Sequence, residues 1–333
     1  MPRHGPHAAA SAGASGVASS LVASGVDSST GGAGYVILVA VLAPASATVA
    51  MATVAVAVSG PHLPKAPRCP IFPASNAWNQ HVDRLPVAAD SGRIIEAVGA
   101  DRTLHPDFGT GRVGIPYTTV GKGTPRVHVT FEYADESDKG PYPLPADPPV
   151  EAGSDRHVVV VDRDACRLYE LFAAERVGTA WRAGSGAIWN LRSNRPRPAG
   201  WTSADAAGLP ILPGLARYDE VKAGAIRHAL RFTVPRTRKA FVAPARHHAS
   251  SSTDRSLPPM GLRVRLKASF STAGFGPQAR VVLAALKRYG MILADNGSPW
   301  YITGAPSPRW DDDDLHALGR VKGSDLEVVG PTR

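Results

Sequence analysis

Glycine and proline make up nearly a fifth of the chain, with 33 Gly and 30 Pro among 333 residues. Both disfavour the interior of a helix, glycine through its conformational freedom and proline through its missing N–H, whereas both suit turns. Between the turns lie short segments of alternating apolar and polar residues, for example Val127–Tyr133 and Leu262–Phe270. This pattern predicts a mainly β fold of β-sandwich or jelly-roll type, with long irregular loops.

One helix and two hairpins stand out from this background. Ser91–Val98 is helix-like, but the fold is expected to hold one C-terminal α-helix, Pro277–Tyr289, which has proline in its first turn and ends at Gly290. Asp162–Ala165 lies between two apolar runs and predicts a hairpin turn. Asn296-Gly297 is the strongest short hairpin signal and predicts that the segments on either side of it pair with each other.

The first 60 residues differ from the rest in composition. Residues 1–33 are mostly Ala, Gly and Ser, too poor in large apolar groups to bury a core, and are expected to be disordered. Residues 34–60 carry no charge and predict a signal peptide, with a cleavage site at Ala45–Ala47, or alternatively an uncleaved membrane anchor. Residues 61–68 are predicted to be a Pro-rich linker and residues 69–333 a single globular domain. The expected location is extracellular, secreted or anchored with the domain outside.

The chain has two cysteines, Cys69 and Cys166, and no pair of the spacing that binds zinc. An isolated pair in an exported protein predicts a disulfide. His247 and His248 have no third ligand at metal spacing, so no metal is expected, and no motif indicates a cofactor.

Four acidic residues are candidates for acid/base catalysis: Glu170, Asp205, Asp219 and Glu220. Glu170 shares a strand face with Leu168 and Phe172, and burial among apolar side chains would raise its pKa, as a general acid requires. Glycoside hydrolysis needs a second carboxyl about 5 to 10 Å away, which Asp219, Glu220 or Asp205 could supply. The alternative is that Glu170 reaches water at a strand end and that the adjacent acids are ordinary loop residues.

Aromatic and basic residues are candidates for substrate binding. Trp189 and Trp201 lie in an irregular Gly-rich stretch, where they could stack on sugar rings or fill a core. Between residues 222 and 288 fourteen Lys or Arg stand against a single acid, Asp254. If the two alternating strands in this region share a sheet, five cations form one exposed stripe: Arg227, Arg231, Arg263, Arg265 and Lys267. The stripe would bind an anionic polymer, or else form a solvated outer face.

The same alternation places His228 on the apolar face of its strand, which predicts a packed core histidine rather than a catalytic base.

The chain contains the phrases CPIFPASNAWNQ, DESDKGPYPLP, SDRHVVVVDRDACRLYEL, GSGAIWNLRSN and KRYGMILADNGSPWYITG. From Cys69 to the C-terminus these phrases resemble a family of uncharacterised secreted bacterial proteins. The resemblance implies a single extracellular domain whose loop-rich middle belongs to the fold, and it carries no activity or catalytic residue.

Export, β architecture, Trp-rich loops and available carboxylates together favour a secreted carbohydrate-active enzyme that acts on a polysaccharide by acid/base chemistry, as a hydrolase or a lyase. The alternative is a non-catalytic extracellular glycan- or cell-wall-binding protein. The expected partner is a polysaccharide or another anionic cell-surface polymer. Nucleic acid is not expected because no recognised motif accompanies the basic segment, and a membrane contact is expected only through the N-terminal segment.

Overall fold

The computed structural model describes residues 60–331, so the predicted disordered and signal or anchor segments lie outside the described residues apart from Gly60. Strands dominate this range, with four short or medium α-helices among them. The strands are β1 (His62–Leu63), β2 (Ala66–Pro70), β3 (His105–Asp107), β4 (Tyr117–Val120), β5 (Arg126–Val127), β6 (Val129–Phe131), β7 (Tyr142–Pro143), β8 (Val158–Asp162), β9 (Arg167–Phe172), β10 (Glu175–Val177), β11 (Ala180–Ala183), β12 (Ser185–Asn190), β13 (Leu230–Val234), β14 (Arg263–Leu266), β15 (Met291–Asn296), β16 (Tyr301–Thr303) and β17 (Leu326–Val329). The helices are α1 (Ser91–Val98), α2 (Tyr218–Lys222), α3 (Pro277–Arg288) and α4 (Asp312–His316).

Two sheets carry most of the strands. A six-stranded mixed sheet has the order β17-β14-β15-β13-β16-β3, and a four-stranded sheet has the order β12-β9-β8-β4. Three small sheets, β10-β11-β6, β1-β2 and β5-β7, complete the set, and none of the sheets closes into a barrel. The prediction of a mainly β fold is confirmed.

The helix-like stretch Ser91–Val98 is confirmed as α1. With α1, α2 and α4 besides the predicted α3, the described residues hold more helices than the one C-terminal helix expected for the fold. In α3 the buried residues recur at helical spacing, at Ala279, Val282, Leu283 and Leu286, and they join the core of the six-stranded sheet. Gly290 ends this helix at φ 67°, where a side chain would collide with the Val264 carbonyl oxygen. Within residues 60–331 no helix is both long and apolar enough to cross a membrane.

The four-stranded sheet is covered on both faces. Its strand β8 reads VVVVD and is buried throughout, because Val159 and Val161 enter one apolar cluster while Val158 and Val160 enter another. A continuous apolar run is what a strand buried on both faces requires. The described core therefore has three clusters, one on the six-stranded sheet and one on each face of the four-stranded sheet.

The disulfide prediction is confirmed: Cys69 in β2 is bonded to Cys166, which directly precedes β9. Residues 61–68, predicted to be a linker, instead form β1 and part of β2. Leu63 and Ala66 are buried in the same cluster as the disulfide, because they pack beside Ile71 and Phe72. This segment is thus part of the packed structure.

Candidate functional site

A cavity of about 370 Å³ is lined by acidic, aromatic and histidine side chains from distant parts of the chain. Its walls come from the ends of β9 and β12, from the irregular segment 202–206, and from β15. The titratable residues in the lining are Tyr133, Glu136, Asp205, His247 and Asp295.

Arg231 organises the acidic wall of this cavity. Its Nε and Nη2 atoms donate to the two carboxylate oxygens of Asp205 at 2.8 and 2.9 Å, and its Nη1 donates to Thr303 Oγ1 at 2.8 Å. The same Nη2 lies 3.3 Å from Asp295 Oδ2. Burial alone would lower the pKa of Arg231, but Asp205 outweighs it and raises that pKa. The guanidinium is therefore a permanent cation that holds two carboxyl groups side by side.

The register of the six-stranded sheet explains why Asp295 reaches Arg231. Arg231 lies opposite Ile292 in β15, but a register shift after Phe232 sets Thr233 opposite Asp295 rather than Ala294. Arg231 and Thr233 share one face of β13, because side chains two residues apart point to the same side. This β-bulge therefore places the Asp295 side chain on the cavity side of the sheet. Bulges commonly redirect a side chain in this way next to functional sites.

Asp205 and Asp295 occupy unlike environments. The Asp205 side chain is fully buried and both of its oxygens are bound by Arg231. A quarter of the Asp295 side chain is exposed. Burial, together with the negative charge of Asp205, raises the pKa of Asp295 to about 7 against the opposing effect of Arg231. Asp205 is consequently bound to Arg231 through both of its oxygens, while its neighbour Asp295 can carry a proton near neutral pH.

A buried histidine adds a positive charge behind the cavity. His157 Nδ1 bonds to Glu151 Oε2, and its Nε2 lies 2.9 Å from the carbonyl oxygen of Ala204. Since neither partner can donate, both ring nitrogens must donate, and the ring is an imidazolium. Burial would lower the pKa of His157, but the hydrogen bond to Glu151 outweighs it and raises that pKa. This ion pair fixes Ala204, which lines the cavity beside Asp205.

Two further groups offer acceptor atoms at the cavity. Glu136 accepts the Thr202 N–H through Oε2 at 2.8 Å, and its other carboxylate oxygen has no hydrogen-bond partner among residues 60–331. His247 Nδ1 donates to the Ala206 carbonyl oxygen at 2.8 Å, so its Nε2 carries the lone pair in the neutral ring. Both residues are half-buried.

The four predicted catalytic carboxyls are not brought to one cleft. Glu170 is fully buried in β9 and does not line the cavity; its oxygens accept the backbone N–H groups of Ile211 and Leu212, each at 2.9 Å, and Trp189 Nε1–H at 3.1 Å. Burial raises its pKa to about 7, as expected, although these three donors oppose the rise. The idea that Glu170 reaches water at a strand end is wrong.

The predicted pair Asp219 and Glu220 is also divided. Asp219 forms an exposed ion pair with Arg309, whereas Glu220 is largely buried and bonds to Arg217 and His228. Burial would raise the pKa of Glu220, but Arg217 and His228 lower it. His228 is buried, as predicted. Of the four candidates only Asp205 lines the cavity. Its neighbour Asp295 was not predicted, because no sequence motif marks it as a site residue.

The predicted aromatic and basic surfaces are largely covered. Trp189 is buried, and the Arg197 guanidinium lies 5.6 Å from its ring centre and 5.4 Å from that of the half-buried Trp201. The five cations do not form an exposed stripe, although β13 and β14 do share a sheet. Arg231 is buried, and three others are half-buried and bonded to acceptors, namely Arg263 to the Tyr289 carbonyl, Arg265 to Glu327 and Lys267 to the Ser324 carbonyl. Only Arg227 is exposed, and it precedes β13.

Within residues 60–331 no group of three or more His, Cys, Asp or Glu side chains could hold a metal ion. Comparisons with models of protein families, with curated proteins and with solved structures find no match.

Proposed function

We propose that the cavity beside Asp295 is the active site of an extracellular enzyme that hydrolyses glycosidic bonds of a polysaccharide. The observation that carries the proposal is the environment of Asp295: partly open to the cavity, next to Asp205 and Arg231, with a pKa raised to about 7. Glycoside hydrolysis requires a carboxylic acid that is still protonated near neutral pH to protonate the leaving oxygen.

Glu136 is the proposed second carboxylate. It lines the same cavity, is held in place by the Thr202 N–H, and has one oxygen without a partner in the described part of the chain. In this scheme Asp295 donates a proton to the glycosidic oxygen while Glu136 attacks the anomeric carbon or activates a water molecule. Asp205 and Arg231 are positioning residues: Asp205 lines the cavity, but both of its oxygens are bound by Arg231, and the two residues together fix Asp295 and influence its charge.

The charge of the cavity favours a hydrolase over a lyase. A lyase acting on uronic acids needs a cation that neutralises the substrate carboxylate, but no Lys or Arg lines this cavity and Arg231 behind it is already bound by Asp205.

The volume of the cavity lies within the range of about 300 to 1,000 Å³ typical of small-ligand sites. Tyr133 and Phe172 in the lining offer aromatic surface to a sugar ring. The sheets are compatible with a β-sandwich enzyme of this class, which remains part of the proposal.

A screen of the purified protein against a panel of polysaccharides tests the proposal. New reducing ends without unsaturated products indicate hydrolysis, whereas absorbance from unsaturated products indicates a lyase and contradicts the scheme. On an active substrate Asp295→Asn should lower turnover at least about a hundredfold, the usual scale for a lost general acid. Asp101→Asn, an exposed acid without a partner among residues 60–331, is the matched control and should retain turnover. Sugar binding without turnover across the panel would instead favour the glycan-binding alternative.

A further inference from the structure

A second and larger cavity, of about 730 Å³, lies beside α3, well apart in its lining from the cavity of Asp295. Its polar lining consists of His62, Asn79, His81, Arg227, Arg288 and Tyr289. No Asp or Glu is part of the lining.

The two arginines of this cavity have no counter-ion among residues 60–331. Neither Arg227 nor Arg288 forms an ion pair within the described part of the chain, in contrast to Arg231 and Arg265, which are both bound by carboxylates. Two like charges that share a concave surface produce a positive potential, which attracts an anion. A carboxylate or phosphate is the group that guanidinium geometry matches best.

His81 adds a directed donor to the same surface. Arg288 Nε donates to His81 Nε2 at 3.2 Å, so this nitrogen must be an acceptor. The Tyr289 hydroxyl lies 3.1 Å from the same atom. In the neutral ring the proton is therefore on Nδ1, which forms no hydrogen bond among residues 60–331 and is free to donate to an anion.

Two buried polar atoms at this cavity have no partner among the described residues, His62 Nδ1 and Asn79 Oδ1. The Asn79 amide nitrogen donates to the carbonyls of Ile71 and Pro73, each at 3.0 Å, which fixes the amide and leaves Oδ1 as an acceptor only. A buried acceptor without a donor costs about 1 to 3 kcal/mol. Both atoms are closed to solvent in this structure, so neither can contact a ligand in the cavity.

We propose that this cavity binds an acidic ligand, whose carboxylate or phosphate group is held by Arg227, Arg288 and His81. The site is independent of the proposed hydrolase centre, since it needs no proton transfer and shares no lining residue with it. Arg227 thus contributes to anion binding through a pocket rather than through a stripe along two strands.

Isothermal titration of the full chain with four probes tests the proposal. The probes are glucuronate, glucose 6-phosphate, glucose and inorganic phosphate. The anionic group is needed for binding, so at least one of glucuronate, glucose 6-phosphate and phosphate should bind about tenfold or more tightly than glucose, and less tightly as salt is added. The two acidic sugars compared with each other show whether the cavity prefers a carboxylate or a phosphate.

Two variants of α3 make the test specific. Arg288→Gln should weaken binding of the acidic ligand about tenfold. Arg280→Gln removes the same charge from the same helix outside the cavity and should leave the Kd unchanged. Asp295→Asn should also leave it unchanged, which separates this site from the hydrolase proposal. Binding of glucose as tight as that of the anions, or equal losses in the two arginine variants, would each overturn the inference.

Discussion

Arg231 carries a charge that has no access to water and depends on partners from distant segments. Asp205 lies 26 residues earlier in the sequence and Asp295 lies 64 residues later. The alternation of residues around Arg231 places its side chain on one face of a strand, but it does not say that a loop covers that face. The same alternation of residues is found in a strand whose charged face is open to solvent and in one whose charged face is covered. The two cases differ in tertiary contacts, which the sequence pattern does not give.

Replacement of Asp205 should therefore be much more costly than replacement of a surface acid. Asp205→Ala leaves the buried guanidinium without its bidentate partner, and we expect a loss of about 3 to 5 kcal/mol in the free energy of unfolding. Asp219→Ala, which removes one half of an exposed pair, is the control and should cost less than about 1 kcal/mol. Urea denaturation of the two variants measures both values, and similar small losses would contradict the structural role of Asp205.

At the level of elements, local turn chemistry predicted one hairpin correctly and one incorrectly. β8 and β9 pair antiparallel around a turn in which the Asp162 side chain accepts the N–H groups of Asp164 and Ala165. β15 and β16 flank Asn296-Gly297 but do not pair, because β13 lies between them and pairs with both. A strand from elsewhere in the chain can pair in place of the strand that follows the turn. The residues of the turn do not indicate when this happens.

The disulfide links β2 to the start of β9 across 97 residues of sequence. Since a cross-link of that length restricts the unfolded chain, the Cys69→Ser/Cys166→Ser double variant should lose about 2 to 5 kcal/mol in the free energy of unfolding. The double variant avoids a free thiol that could mispair. The unfolding midpoint in guanidinium measures the loss, and peptide mapping without reductant should recover one linked pair from the native protein. An unchanged midpoint would show that the bridge does not constrain unfolding.

For the whole molecule, buried titratable groups make stability depend on pH in a definite direction. Glu170 and Asp295 have pKa values raised to about 7, mainly by burial, and the pKa of His157 is also raised. These groups bind protons more tightly in the folded state, so their contribution is complete below the unfolded pKa values and is lost as pH rises toward and past 7. Glu151 and Glu220 have lowered pKa values, and their contribution is lost as pH falls below about 4.5.

The free energy of unfolding should therefore be greatest near about pH 5 and fall between pH 5 and 8. Urea denaturation across this range measures the slope. Glu170→Gln removes one titrating group and should flatten the decline, by on the order of 3 kcal/mol between the two ends. A slope that is unchanged in this variant, or a maximum near pH 8, would contradict the assignment of Glu170 as a buried, protonatable carboxyl.

Much of the architecture could be predicted from the sequence, and less of the site. The Gly and Pro content, the apolar run of β8 and the residues at the two ends of α3 are local features that can be recognised in the sequence. They indicated a mainly β fold and the main helix. The cavity depends on a register shift in β15 and on loops near Asp205 and Glu136, which follow from long-range packing. The pKa of Glu170 is raised, as predicted, but its carboxyl group does not reach a substrate cavity. It is buried in the core, where protein donors bind both of its oxygens.

Asp295 is expected to carry a proton near neutral pH and to donate it to a substrate in the cavity. Titration of ¹³C-labelled aspartate carboxyl groups by NMR, with Asp295 assigned from the Asp295→Asn spectrum, tests this expectation. We expect an apparent midpoint near 7 for Asp295, moving lower in Asp205→Asn because the neighbouring negative charge is gone. A midpoint near the ordinary value of about 3.9 in the native protein would mean that Asp295 is ionised at neutral pH and is not the proton donor.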